Sequence, residues 1–363
     1  MDLRFKVVRI PLLVPFKTSF GTQYAREAIL LILRNEGITA YSECVADVDP
    51  YYSYEDNETA LHIISDFLVQ FIEDLPDPDT FCKRARQIRG HNMAKAAVEM
   101  LLWDYAAKKK EVPLHSMLGK GRGFAETGIS IGLDSPAKMV KRVEAAVETG
   151  YRRIKVKIEK GMDLEVLSAI RDRFPDIRLS ADANSCYTLS DVETLRKMDK
   201  YELVYIEQPL EHDDLVHHAK LSAMISTPVC LDESITDPGK AEDAFEMGAC
   251  SVVNIKPGRV GGMGPSLKIA SIAREHGGHC WIGGMLETGI GRCFNVSLAS
   301  LEAVDYPGDT SPNERYFAKD IVLNPFRMEK GVITPNNGNG IGAEVDEKLL
   351  ESYTVRNGLL LLR

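Results

Sequence analysis

IKVKIEKGMDLEVLSAIRDRFPDIRLSAD, residues 154 to 182, decides the fold. It opens on a β-branched run, Ile154 to Ile158, and turns near Gly161. Leu164, Leu167 and Ile170 then recur at helical spacing over Leu164 to Arg173, before a second extended run, Arg178 to Asp182. Strand, helix and strand in that order predict a parallel pair joined by a right-handed crossover. The unit repeats on both sides. Further runs stand at Thr127 to Leu133, Leu203 to Glu207, Val229 to Asp232, Val252 to Lys256, His279 to Gly283 and, more weakly, Leu301 to Tyr306, about 25 residues apart. Between them, Ser135 to Thr149 carries Met139, Val140, Val143 and Val147 on one helical face and ends at Gly150. Eight such units predict an α/β fold, a (β/α)8-type, TIM-like barrel over 121–319. An open doubly wound sheet is the competing arrangement.

The first 120 residues lack this period. Leu3 to Ile10, Glu27 to Arg34 and Ile38 to Glu43 read as strands, the last two turning at Asn35, Glu36 and Gly37. Helical patterns follow at Tyr54 to Ile72, Phe81 to Arg89 and Asn92 to Lys109. Residues 1–120 are therefore expected to form an α+β capping domain. Gly119 to Gly123 is a linker, because it lacks the G-x-x-x-x-G-K-[ST] of a phosphate loop. Asp320 to Ile333 reads as extended and Gly338 to Val345 as a glycine-rich loop, so 320–363 is a C-terminal segment expected to return to the cap and complete it.

Composition narrows the function. The chain has 363 residues, 44% hydrophobic and 27% charged, with 44 basic against 53 acidic side chains and a net charge of -9. That is enough apolar surface for a large core and no electrostatic footprint for nucleic acid. No early apolar run approaches the roughly 20 residues of a membrane span, and residues 1–10 alternate like a strand instead of a leader. The seven cysteines form no C-x-x-C pair and are odd in number, which suggests reduced, mostly buried thiols of a cytoplasmic protein.

Barrel enzymes draw their chemistry from the C-terminal ends of the strands. Here those ends carry Lys155 and Lys157, then Asp182, Glu207 and Asp232 on three successive strands, then Lys256. Three converging carboxylates repel one another unless a cation lies between them, and an all-oxygen set suits Mg²⁺, with Mn²⁺ as a surrogate. Strand alternation turns Lys155 and Lys157 to the same face, and two like charges so close are expected to lower a lysine pKa towards base duty. Lys157 and Lys256 should then face opposite sides of a small-molecule carboxylate substrate. A metal beside that carboxylate, one lysine as base and another as acid, predict proton abstraction from the adjacent carbon.

The segments KVK (155–157), SADAN (180–184), YIEQP (205–209), LDES (231–234) and NIKPGRVGG (254–262) resemble the enolase superfamily, in its muconate-lactonizing-enzyme subgroup. PFKTSFG (15–21), DPYYS (49–53) and GGMLETGIGR (283–292) are similar to its o-succinylbenzoate synthase and N-succinylamino acid racemase branch. The resemblance runs over nearly the whole chain. It implies Asp182, Glu207 and Asp232 as Mg²⁺ ligands, Lys157 and Lys256 as the acid/base pair with Lys155 assisting, and Arg259 as a tuner of Lys256. It also implies loops Pro15 to Gly21 and Asp49 to Tyr54 as lids, with Phe16 and Phe20 towards apolar substrate. Asn184, Glu233, Gly283, Met285 and Glu287 are the remaining expected substrate contacts or supports of the ligands. Cys186, Cys293 and Phe294 depart from the branch pattern without touching a catalytic position.

Two reactions follow from the resemblance. One is dehydration of 2-succinyl-6-hydroxy-2,4-cyclohexadiene-1-carboxylate to o-succinylbenzoate in menaquinone synthesis, for which Lys157 suffices as base and then acid. The alternative is racemisation of N-succinylamino acids by Lys157 and Lys256, and one protein can do both. The implied assembly is a homo-oligomer, with no nucleic acid and no membrane. A Schiff-base aldolase leaves three carboxylates without a role, and a non-catalytic metal binder leaves the lysines without one. Gly258 to Gly264 lacks the G-x-G-x-x-G dinucleotide spacing, and His212, His217 and His218 read as solvated residues of a polar helix.

Overall fold

The computed structural model describes residues 1–18 and 21–362. An antiparallel sheet opens the chain: β1 (Asp2–Thr18), β2 (Gly21–Asn35) and β3 (Ile38–Cys44). The expected strand Leu3 to Ile10 is therefore longer. Pro15 to Thr18, expected as loop, is still strand, with Phe16 opposite Gln23 and Thr18 opposite Gly21. The physical reason is that the two chains of the ribbon satisfy each other's backbone groups past the register shift between Pro11 and Phe16. Helices α1 (Asn57–Ile63), α2 (Pro78–Ala85) and α3 (Asn92–Lys109) pack on this sheet.

After the short β4 (Ala125–Glu126), seven parallel strands follow in sequence order: β5 (Gly128–Ile131), β6 (Arg153–Lys157), β7 (Leu179–Asp182), β8 (Ile206–Glu207), β9 (Val229–Leu231), β10 (Val252–Ile255) and β11 (His279–Ile282). The helices between and after them are α4 (Pro136–Thr149), α5 (Asp163–Arg173), α6 (Val192–Met198), α7 (Leu215–Ser222), α8 (Pro238–Glu246), α9 (Pro257–Val260), α10 (Met263–Glu275) and α11 (Gly289–Ala299). Gly150 ends α4 in the left-handed region at φ 89°, as its sequence position predicts.

The eighth run is the main departure. Leu301 to Tyr306 forms no strand; Leu301 makes one antiparallel bridge to Gly121. The ring closes instead through 306–309. Tyr306 N donates to Cys280 O at 3.2 Å and Asp309 N to Ile282 O at 2.9 Å, while on the other side Gly128 N donates to Gly308 O at 2.7 Å. Pro307 has no N–H, which prevents a regular ladder here. Gly308 is required by a close approach, since a Cβ there would meet Ile282 O at 2.6 Å. The barrel is closed, and the doubly wound alternative is excluded.

The C-terminal segment divides its contacts. β12 (Val332–Ile333) pairs with β4 beside the barrel, α12 (Glu347–Tyr353) follows, and β13 (Thr354–Leu362) pairs antiparallel with β1, giving the cap sheet the order β13-β1-β2-β3. Two buried cap carboxylates pin the cap to the barrel. Glu99 of α3 accepts from Met263 N and Gly264 N at the start of α10, both at 2.8 Å. Glu43 of β3 accepts from Thr288 N at 3.0 Å and Thr288 Oγ1 at 2.7 Å at the start of α11. Both use the free N–H groups of a helix start.

The histidine expectation needs correction for one residue. His212 and His217 are exposed, but His218 is fully buried, its Nε2 accepting from Leu210 N at 3.1 Å and its Nδ1 donating to Asp214 O at 2.6 Å. On α7, position 218 shares the buried face with Leu215 and Leu221. The cysteines are free, five of the seven buried.

Candidate active site

β6 places Arg153, Lys155 and Lys157 alternately towards the barrel interior, and all five of its residues are buried. Register sets Lys157 beside Asp182, and Asp182 beside Glu207. Asp232 follows one residue after β9, and Lys256 one after β10. Lys157 Nζ donates to Asp182 Oδ2 at 3.0 Å and to Asn184 Oδ1. Lys256 Nζ donates to Asp232 Oδ2 at 2.8 Å. Each of the two lysines thus holds an acid of its own, and Glu207 lies between those acids in strand order.

Lys155 behaves differently from expectation. Its Nζ sits 2.7 Å from Glu207, 3.1 Å from Asp309 and 3.4 Å from Asp182. Burial disfavours the ammonium, yet Asp309, Glu207 and Asp182 together hold its pKa well above the ordinary lysine value. The like-charge argument fails because three carboxylates surround this residue and outweigh one lysine neighbour.

The acids are unequal. Burial and then Asp182 push Glu207 up to about 8. Asp182 is drawn below its ordinary value despite burial, by Lys157 and Lys155. Asp232 is likewise drawn down against burial, by Lys256 and Arg259. The three carboxylates are parted by these cations. Among the described residues, the one trio of ligating side chains with donor atoms within 4.8 Å of one another is Glu211, His212 and Asp213, exposed on the connection after β8. The barrel acids nevertheless fit a hard cation in chemistry: three buried oxygen donors on adjacent strands, with Glu207 facing Asp182, Asp232 and Asp309 against the single ammonium of Lys155.

Around them, Asn184 donates from Nδ2 to Glu233 Oε1 at 3.0 Å, and burial with Asp232 pushes Glu233 up to about 7. Arg259 reaches Asp232 with NH1, Ile235 O at 3.0 Å and Asn254 O at 2.6 Å. It touches the partners of Lys256, not Lys256 itself. Asn254 Nδ2 donates to Glu207 Oε1 at 2.9 Å, and Gly283 lies so close that a Cβ would meet Asn254 Oδ1 at 2.2 Å. Glu287 accepts from Met285 N at 2.9 Å and pairs with Arg292 at 3.1 Å, shaping the turn after β11. Phe20 lies outside the described residues.

Sequence reasoning missed two contacts. Tyr52, in the lid segment 49–54, accepts from Lys256 Nζ at 3.0 Å and Arg259 NH1 at 2.9 Å. Asp309 pairs with Arg153 at 2.7 Å and with Lys155. Its signal was present, a carboxylate at the end of a stave, but concealed by placing that stave at 301–306.

A cavity of about 680 Å³ lies between cap and barrel mouth. Lys155, Lys157, Asp182, Asp232 and Lys256 line the barrel side, with Gly284 and Met285; Phe16, Tyr24, Tyr51 and Tyr52 line the cap side. Charged floor and aromatic roof suit a small molecule with a carboxylate at one end and apolar surface at the other.

The family model for the mandelate racemase / muconate lactonizing enzyme N-terminal domain matches residues 2–119, and the enolase C-terminal domain-like model matches 138–349. Over 351 residues the chain is 42% identical to an o-succinylbenzoate synthase of Geobacillus stearothermophilus, covering 96% of this chain and 94% of that protein. It is also 42% identical over 353 residues to an N-succinylamino acid racemase of Thermus thermophilus, covering 96% of each. A solved enolase-superfamily member from Listeria innocua superposes with a TM-score of 0.96 at 37% identity, over 99% of both chains.

Proposed function

This chain belongs to the enolase superfamily, in the o-succinylbenzoate synthase and N-succinylamino acid racemase branch of its muconate-lactonizing subgroup, and on that premise we propose that it is an o-succinylbenzoate synthase. The reaction is loss of water from 2-succinyl-6-hydroxy-2,4-cyclohexadiene-1-carboxylate. The observation that carries the reading is the pairing of Lys157 with Asp182 and of Lys256 with Asp232 on the floor of one cavity between cap and barrel. Members of this family are metal-dependent. Asp182, Glu207 and Asp232 would hold Mg²⁺, which supplies positive charge for the anion formed when the carbon beside the substrate carboxylate is deprotonated.

The protein's own groups do the rest. Lys157, as the free amine, removes the proton. The resulting ammonium then delivers it to the departing hydroxyl, so that water leaves and Lys157 is regenerated. Lys256 remains an ammonium facing the anion, and the cap residues Phe16, Tyr24 and Tyr51 line the opposite side of the cavity. We assign 1–120 to the cap, 121–319 to the catalytic barrel, 320–363 to a C-terminal segment that passes the barrel at β12 and returns to the cap sheet as β13, and the protein to the cytoplasm, which its free thiols suit. A homo-oligomer would cover exposed Leu13 and Val14.

A second reading, N-succinylamino acid racemase, is favoured by one feature. Lys256 is braced by Asp232 and Tyr52, which a one-base elimination does not need. Assays with Mg²⁺ on both substrates test the pair of readings. Lys157→Ala and Lys256→Ala are each expected to abolish both activities; racemisation surviving in either overturns the two-base assignment.

A further inference from the structure

Asp309 stands on the irregular eighth stave, on the side of β6 away from β7, β8 and β9. Its backbone is held twice, by its N–H on Ile282 O at 2.9 Å and by Arg292 NH1 on its own carbonyl at 2.8 Å. Its carboxylate is divided: Oδ1 takes Arg153 NH2 at 2.7 Å and Oδ2 takes Lys155 Nζ at 3.1 Å. Arg153 is fixed in turn by Pro307 O at 3.0 Å, and both cations lie over the Trp281 ring, 4.7 and 4.8 Å from its centroid.

Lys155 therefore has two sets of acceptors, on either side of β6 in strand order. Glu207 and Asp182 lie on one side and Asp309 on the other. Every hydrogen bond from Lys155 to Glu207 or Asp182 occupies an oxygen that a cation would need. From this geometry we infer that Asp309 is a positioning residue for the metal site: by drawing the Lys155 ammonium towards the eighth stave, it releases Glu207 and Asp182 to bind Mg²⁺. Arg153 sets the strength of that pull, because it shares the same carboxylate. The inference rests on the reading that Asp182, Glu207 and Asp232 hold the ion.

Calorimetric titration of the full chain with Mg²⁺, without substrate, tests it. Asp309→Asn should weaken binding about tenfold, the scale of coupling between charges that share a partner. In a Lys155→Met background the same substitution should cause no further loss. Arg153→Met, which leaves Asp309 wholly to Lys155, should tighten binding, and it tests the inference with the opposite sign if Asp309→Asn does not fold. Unchanged affinity in Asp309→Asn, equal losses in both backgrounds, or weaker binding in Arg153→Met overturns the inference while leaving the metal reading intact. A wild-type chain that takes up no Mg²⁺ overturns both.

Discussion

Tyr52 of the cap and Lys256 of the barrel are joined by a 3.0 Å hydrogen bond, with the ammonium also 4.7 Å from the centre of the tyrosine ring. The same hydroxyl accepts from Arg259 NH1 at 2.9 Å, so one neutral oxygen serves two buried cations. The cap thus completes the environment of a lysine to which the barrel itself supplies Asp232. Tyr52→Phe keeps the ring and removes the acceptor, at a cost of about 1–3 kcal/mol for the stranded donors. Racemisation kcat is expected to fall about tenfold, with the circular dichroism spectrum unchanged. An unaltered kcat would mean that Asp232 alone orients Lys256.

Much of this site was legible because barrel strands end where chemistry begins. The period located β6 to β10, and strand ends then named Lys157, Asp182, Glu207, Asp232 and Lys256 without any tertiary information. What escaped has physical reasons. Pro307 and Gly308 break the ladder of the last stave, so no β-branched run marked Asp309. Tyr52 lies in a segment without regular structure, whose path is set by packing against the barrel and not by local periodicity. Lys155 was misjudged because a pair of adjacent lysines was weighed without the acids that β8 and the eighth stave bring to it.

The contact between Gly283 and Asn254 makes a steric prediction. A methyl group on Gly283 would meet Asn254 Oδ1 at 2.2 Å and Cγ at 2.9 Å, and Asn254 is the residue that holds Glu207 Oε1. Gly283→Ala must displace Asn254, leaving Glu207 without that donor. Overpacking of this kind costs roughly 1–3 kcal/mol. A lowered melting temperature together with a fall in kcat is expected; full activity would show that Asn254 can move without consequence for Glu207.

Glu99 predicts a pH effect. Burial raises its pKa from an ordinary 4.5 to about 7, although Gly264 N, Met263 N and Trp103 Nε1 all donate to it. A raised folded-state pKa means that the folded protein binds the proton more tightly than the unfolded chain. The resulting stabilisation is complete below pH 4.5 and lost as pH rises through 7, by up to about 3 kcal/mol. Glu99→Gln carries no such titration. Its melting temperature relative to wild type is expected to climb between pH 4.5 and 7, whereas parallel curves would place the carboxylate pKa near its ordinary value.

His218 predicts the opposite slope. Burial lowers its pKa below the ordinary 6.5, outweighing the backbone oxygen of Asp214 that accepts from Nδ1. Neutral His218 has Nε2 free to accept from Leu210 N; protonation would remove that acceptor and bury an added charge. For a depressed folded-state pKa, the contribution to stability is present above pH 6.5 and is lost as pH falls through the folded value. His218→Gln offers an amide oxygen to Leu210 N and does not titrate. Wild type should therefore lose stability relative to this variant as pH drops below 6.5, read as chemical-denaturation midpoints across that range. A constant difference between the two midpoints would show that His218 binds its proton equally well in the folded and unfolded chain, so that burial imposes no cost on the imidazolium.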